Sequence, residues 1–197
     1  IINGQRTGSK ARLPVYNPAD DSVIGSIAAS GAEEVAAAVA AATACFHSPQ
    51  WQAMTPAARE GCLLRLADLI EAEADMIAAI ETLDNGAPFA MTQAMVGKAA
   101  PSSIRYNSGW ARRMGGETVD PSVPGRFHAF TVQEPVGVAG LIVPWNAPFI
   151  IACNKVSAAL AAGCTLVLKP AELAPMTCLK LAELAHQAGF PDGAVNV

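Results

Sequence analysis

Charge and aromatic rings are both scarce: of 197 residues, 15% are charged and 6% aromatic, while 52% are hydrophobic. That balance excludes a disordered chain and allows one sizeable α/β domain with a buried core. Thirteen basic residues stand against 17 acidic ones, a net charge of -4. No Lys/Arg cluster interleaves with aromatics, so a nucleic-acid partner is not expected. The five cysteines, Cys45, Cys62, Cys153, Cys164 and Cys178, are odd in number and scattered. None is spaced as C-x-x-C or set beside histidines that could complete a zinc site, which points to a reducing, cytoplasmic setting. The longest apolar stretch, Phe149 to Leu168, holds Asn154, Lys155 and Gly163 and so reads as helix, turn and strand, not as a membrane span. The first residues, Ile1-Ile2-Asn3-Gly4, show no basic-then-apolar leader, so no secretory or transit signal is expected.

The amino-terminal stretch Ile2 to Ile27 reads as short strands broken by turns at Asn3-Gly4 and Asn17-Pro18, an arm laid against something larger. Ser30 with Glu33 reads as a capping box opening a first helix, its buried face formed by Val35, Val39, Ala42 and Phe46. Thr55-Pro56 opens a second helix with the stripe Leu63, Leu66 and Ile70, and Met76, Ile80 and Leu83 form a third stripe ending at Asp84-Asn85-Gly86. A fourth helix opens at Pro88, is bent or interrupted at Pro101, and carries Ile104, Trp110 and Met114 to a stop at Gly115-Gly116. Strand-like runs over 117–123 and 127–133 flank Pro124-Gly125, a pair suited to a tight hairpin turn.

From Val138 the pattern changes to strand (138–143), helix (149–162), strand (165–168), helix (176–188) and a strand beginning at Val195. Alternation with short links implies a parallel sheet of right-handed βαβ units. One and a half such units leave Val/Leu-rich strands uncovered, so more chain is expected after Val197. The division expected is an arm and helical part over 1–116, a hairpin over 117–135 and the incomplete βαβ part over 136–197.

Ligands of open parallel sheets bind at the carboxyl ends of the strands. Here those ends carry Pro144-Trp145-Asn146-Ala147-Pro148 and Lys169-Pro170-Ala171-Glu172. The dinucleotide fingerprint G-x-G-x-x-G is missing, since Gly137 and Gly140 precede and sit within the strand at the wrong spacing. Taken singly, these residues also have plain readings: Asn146 as a turn former, Lys169 as a solvated strand end, Glu172 facing a helix amino end, Trp145 as core.

Taken together, the run Glu134 to Pro148 closely resembles the aldehyde dehydrogenase superfamily, in its amino-terminal portion. Lys155, Ala158 to Gly163, Lys169-Pro170-Ala171-Glu172, Pro175-Met176-Thr177 and Ala188-Gly189-Phe190-Pro191 stand at that family's spacing. So do Ile1-Ile2-Asn3-Gly4, Asn17-Pro18, Glu81 to Gly86 and Gly109-Trp110, so the likeness covers nearly the whole chain.

The resemblance implies a helical lead-in, a parallel Rossmann-like nucleotide-binding sheet of five strands, and a hairpin around Pro124-Gly125 belonging to an oligomerisation domain that makes dimers or tetramers. It implies NAD-dependent oxidation of an aldehyde to a carboxylic acid through a cysteine thiohemiacetal. Asn146 would donate to the oxyanion, where such a donor is worth about two to three orders of magnitude in rate. Lys169 and Glu172 would hold the adenosine ribose of the cofactor, with Val143, Pro144, Trp145, Pro170 and Ala171 around it. A carboxylate at Glu172 repels a 2′-phosphate and so argues for NAD over NADP. Ala147, Ile151 and Asn154 would line the aldehyde pocket. A monovalent cation near Tyr16, Asp84 and Leu173 is also implied, held largely by main-chain oxygens.

Three residues depart from the family's usual pattern. Ala87 replaces a common lysine, and Ala147 and Asn154 replace aromatics that often wall the aldehyde tunnel, which leaves the aldehyde open. The family's nucleophile follows a glycine-glutamine pair and its general base opens a Glu-Leu-Gly-Gly run; neither occurs here, and the five cysteines read as small buried hydrophobes. Two other readings stay open: a non-catalytic interaction module on the same fold, and an acylating enzyme that passes its acyl group to coenzyme A.

Overall fold

A computed structural model describes residues 1–9 and 11–197. Asn3 and Gly4 both take positive φ (52° and 73°) between mutually hydrogen-bonded Ile2 and Gln5, the geometry of a two-residue hairpin turn. Two strands follow, β1 (Arg12–Tyr16) and β2 (Val23–Ala28), paired antiparallel across the Asn17-Pro18 turn. The Asn17 side chain accepts from Ala19 N–H at 3.0 Å, which fixes that turn. The arm lies against the sheet: Asn3 N–H donates to Asn196 Oδ1 at 3.0 Å.

Helix α1 (Ala32–Phe46) starts one residue later than the sequence suggests. Its cap is Gly31, whose N–H donates to the Glu34 carboxylate at 2.7 Å, so Ser30 and Glu33 do not form the box. Its buried face is also different. Ala38, Ala42 and Cys45 are buried, while Val35 and Val39 face outward. The reason is close approach: Thr165 Oγ1 donates to Ala42 O at 2.9 Å, a contact that only small side chains on α1 permit.

A single turn, α2 (Pro49–Gln52), leads to α3 (Pro56–Ala72), capped by Thr55 Oγ1 as expected and burying Leu63, Leu66 and Ile70 completely. In α4 (Ala74–Asn85) the expected stripe fails, for Met76 and Leu83 are exposed and the buried face is Ile77, Ala78, Glu81 and Asp84. Two carboxylates in a buried stripe hide its period from a hydrophobicity count. Gly86 ends the helix at φ +84°, the left-handed cap that glycine adopts without strain. Helix α5 (Phe89–Ala94) passes through a π-helical turn, Met95–Ala99, into α6 (Ala100–Ser108). The π turn stands directly before Pro101, whose missing N–H and bulky ring disturb an α-helical ladder. A 3₁₀ turn, Gly109–Arg112, closes this region where the fourth helix was expected to continue, and Trp110 and Met114 are about half exposed.

The hairpin forms with Thr118 opposite Phe130 and Val119 opposite Ala129, and its strands β3 (Thr118–Val119) and β4 (Ala129–Phe130) are two residues each, much shorter than the strand-like runs suggest. The βαβ part matches its sequence closely: β5 (Val138–Ile142), α7 (Pro148–Ala161), β6 (Thr165–Lys169), α8 (Met176–Gln187) and β7 (Val195–Asn196). The three strands lie parallel in the order β5-β6-β7. One continuous core joins the helical lead-in to this sheet, running from Leu63, Leu66 and Ile104 through Leu160 and Leu166 to Leu181. Buried Asn196 staples the edge of the sheet, donating to Leu166 O at 3.1 Å and Gly193 O at 2.8 Å. Among the described residues, no helix is long and apolar enough to cross a membrane.

Candidate active site

Parallel register sets the geometry of the site. Ile142 lies opposite Lys169 and Val143 N–H donates to Lys169 O at 3.0 Å, so the segments leaving β5 and β6 emerge side by side at one edge of the sheet. Asn146 lies on the first segment and Lys169, Pro170, Ala171 and Glu172 on the second. Had β5 and β6 been antiparallel, these groups would stand at opposite ends of the sheet.

On the first segment Val143 is buried (1% exposed) and joins the rim through its backbone. Pro144, Trp145 and Asn146 are exposed, and Trp145, at 56% exposure, is a rim residue and not part of the core. Pro148 takes the first turn of α7, where a missing N–H does no harm. Ala147, Ile151 and Asn154 follow one another at helical spacing along α7 and share one stripe with access to solvent. Asn107 on α6 donates its side-chain amide to Asn154 Oδ1 at 3.1 Å and to Ser157 Oγ at 2.8 Å, fixing the Asn154 side chain. Lys155 reaches back to Ile142 O at 2.7 Å and ties α7 to the strand before it.

On the second segment the Lys169 ammonium donates to Glu172 Oε1 at 2.5 Å and to Pro170 O at 3.1 Å. Both side chains of the ion pair are more than half exposed. The lysine hydrogen bond holds the Glu172 carboxyl below its ordinary pKa, so it is a carboxylate at neutral pH. The result is an exposed donor and an exposed acceptor, side by side on a short link, suited to a vicinal pair of hydroxyls.

Behind the rim stands the carboxyl end of α4. Glu81 accepts from Phe149 N–H at 3.3 Å and from Thr177 Oγ1 at 2.6 Å; Asp84 accepts from Met176 N–H at 2.7 Å. Phe149 and Met176 belong to the first turns of α7 and α8, where a carboxylate answers unpaired N–H groups and the helix dipole. Burial nevertheless raises the pKa of both acids, that of Asp84 to about 7. Asp84 Oδ1 is buried with no partner among the described residues. Asn85, the last residue of α4, donates its side-chain amide to the Trp145 carbonyl. The motif Glu81 to Gly86 was visible in the sequence, but not that its polar side chains face inward. The signal available was Glu81 and Asp84 falling in helical phase with Ile77.

Of the residues expected near a cation, Tyr16 and Leu173 are exposed and Asp84 is buried. The arm does approach this corner, for a Cβ on Gly86 would meet Pro18 Cγ at 2.7 Å and one on Gly25 would meet Met176 Cε at 3.9 Å. No group of three or more His, Cys, Asp or Glu side chains able to hold a metal occurs among the described residues.

All five cysteines are buried and unpaired. Burial pushes the thiol of Cys178 up to about 12 and that of Cys45 to about 11, and raises Cys62 and, further, Cys153. Such thiols are not nucleophiles at neutral pH. Clefts of about 260 and 500 Å³ lie at the amino ends of the strands, around His186, Phe190 and Asp192, away from the rim.

The fold recurs in known proteins. The chain is 45% identical over 203 residues to phenylacetaldehyde dehydrogenase of Pseudomonas fluorescens, a match that takes in all of this chain and 40% of the relative. The NAD+ complex of an aldehyde dehydrogenase from Bacillus cereus superposes with a TM-score of 0.92 at 40% identity, over 99% of this chain and 40% of that one. An NADP-dependent enzyme of E. coli superposes with a TM-score of 0.94 at 35% identity, over all of this chain and 40% of that one. The chain thus spans about 40% of the length of the relatives it matches. The family model described as "Aldehyde dehydrogenase family" matches residues 5–197, and with the helical lead-in, the parallel sheet and the strand-tip motifs all in place, the chain belongs to that family.

Proposed function

We propose that the protein carrying this chain oxidises an aldehyde to a carboxylic acid with NAD, through a thiohemiacetal on a cysteine outside residues 1–197. The observation that carries this reading is the register of β5 and β6, which sets Asn146 and the Lys169–Glu172 pair on one sheet edge.

Asn146 is exposed on a segment fixed at both ends, by β5 and by α7. Its NH₂ donates to the aldehyde oxygen as that oxygen gains charge, a role worth about two to three orders of magnitude in rate. Lys169 donates to, and Glu172 accepts from, the adenosine ribose hydroxyls, and the negative Glu172 disfavours a 2′-phosphate. The bound nicotinamide supplies the hydride acceptor. Ala147, Ile151 and Asn154 present one stripe of α7 to the aldehyde, with small and polar groups in place of bulky rings. The buried thiols of this chain take no part, and burial raises the pKa of Cys45, Cys62, Cys153 and Cys178.

The monovalent cation belongs at the corner where the Asn17-Pro18 turn, the end of α4 and the start of α8 approach one another, supported by the unpartnered Asp84 Oδ1. The hairpin of 117–135 is the oligomerisation element of a dimer or tetramer, supported by the exposed rings of Phe127 and Phe130 beside exposed Val132. Residues 1–116 and 136–197 then form one cofactor-binding unit around it. The test of the central reading is Asn146→Ala: kcat for aldehyde oxidation falls about 10²- to 10³-fold while KM for NAD changes little. Unchanged turnover in that variant would refute the role given to Asn146.

A further inference from the structure

The segment that carries Asn146 has few ways to hold its own shape. Pro144 and Pro148 lack N–H groups, and Trp145 is too exposed to be locked by packing. Among the described residues, the hydrogen bond that reaches Pro144–Asn146 from elsewhere in the chain comes from the Asn85 side-chain amide to the Trp145 carbonyl. Because a carbonyl only accepts, the Asn85 amide must present its NH₂. The peptide carbonyl it grips is the one bonded to the nitrogen of Asn146, so this contact sets the plane from which the Asn146 side chain departs.

Asn85 is itself held firmly. It ends α4 at the left-handed cap Gly86, and within the preceding turn Glu81 and Asp84 fasten the same helix end to Phe149, Thr177 and Met176. These are the first turns of the helices that follow the two rim segments. One helix end thereby spans both halves of the site.

We propose that Asn85 is a positioning residue for Asn146, aiming its carboxamide at the developing oxyanion through the Trp145 carbonyl. This rests on the oxyanion role given to Asn146 above. Asn85 touches neither aldehyde nor cofactor and acts on the rate only through Asn146. Loss of its donor lets the segment between the two prolines rotate, so the rate falls while the Lys169–Glu172 side of the rim is undisturbed.

The test is a double-mutant cycle in the active enzyme, with Asn85→Asp, which keeps the shape and removes the donor, and Asn85→Ser, which withdraws it. Each is expected to lower kcat about tenfold, the worth of one hydrogen bond, with KM for NAD within about twofold. In the Asn146→Ala background the same changes should alter kcat by less than about twofold, because their target is gone. A tenfold loss in both backgrounds would show that Asn85 only supports the fold, and no loss in the parent enzyme would likewise overturn the proposal. If Asn85→Asp proves unstable, Asn85→Ser decides alone. If Asn146→Ala itself retains full activity, the oxyanion reading fails first, a result the cycle separates from failure of the positioning role.

Discussion

Replacing Glu81 by alanine removes the acceptor shared by the Phe149 N–H and the Thr177 hydroxyl, both in the interior. Glu81 is 4% exposed, and Phe149 and Thr177 are buried, so water does not readily replace the lost carboxylate. A buried donor left without a partner costs about 1–3 kcal/mol, and two of them about 2–6 kcal/mol. Removing a desolvated carboxylate offsets part of this, which leaves a net loss of about 2–5 kcal/mol, or a drop on the order of 10 °C in melting temperature. Glu81→Gln should behave differently. Its carbonyl still accepts from Phe149, and the Thr177 hydroxyl can turn to accept from its NH₂.

Burial raises the Glu81 pKa, so over a window that opens near its unfolded value of about 4.3 the folded state binds more protons than the unfolded state. Its contribution to stability therefore falls as pH rises through that window and is flat above it. Glutamine has no such dependence, so the stability of the Gln variant relative to the parent should grow with pH across the window. Thermal melts of parent, Ala and Gln proteins from about pH 4 to 8 measure both effects. An Ala variant melting within about 2 °C of the parent, or a Gln variant as damaged as the Ala one, would refute the reasoning.

Three further outcomes are expected. Gly86→Ala should destabilise by about 1–2 kcal/mol or more, since φ is +84° and the new Cβ would meet Pro18 Cγ at 2.7 Å; a melt unchanged within error would contradict this. Glu172→Gln in the active enzyme should narrow the preference for NAD, and equal use of NAD and NADP before mutation would defeat the claim. A polypeptide of these 197 residues should form no NADH from aldehydes, and its five buried cysteines should resist iodoacetamide until it unfolds. Turnover lost on Cys153→Ser would show that the nucleophile had been misplaced.

The carboxyl-terminal third was legible because β5 and β6 are short apolar runs, with α7 between them and α8 between β6 and β7, and none of these has an ambiguous period. The rim followed from the parallel order alone. The helical lead-in was less legible, for two physical reasons. On α1 the close contact with β6 favours alanine over valine, so the most hydrophobic residues are not the buried ones. On α4 the buried face carries carboxylates that serve the amino ends of two distant helices, a partnership between residues 68 to 96 positions apart that no local pattern encodes. The hairpin runs were strand-like over their full length, yet only two residue pairs form a ladder, and their exposed rings are not satisfied within the described residues.

The π-helical turn at Met95–Ala99 has a consequence for how this region tolerates changes in length. A π turn amounts to one extra residue in an α-helix, and each residue advances the helix by about 100°. Deleting any one of the five would remove the π turn and rotate everything after it by that angle relative to α5. Ile104 would swing out of the core, Arg105 would leave Glu71 and Asp68, and Asn107 would lose Asn154. The surplus residue is therefore a phase setting, and single-residue deletions here should be tolerated far less well than substitutions at the same positions.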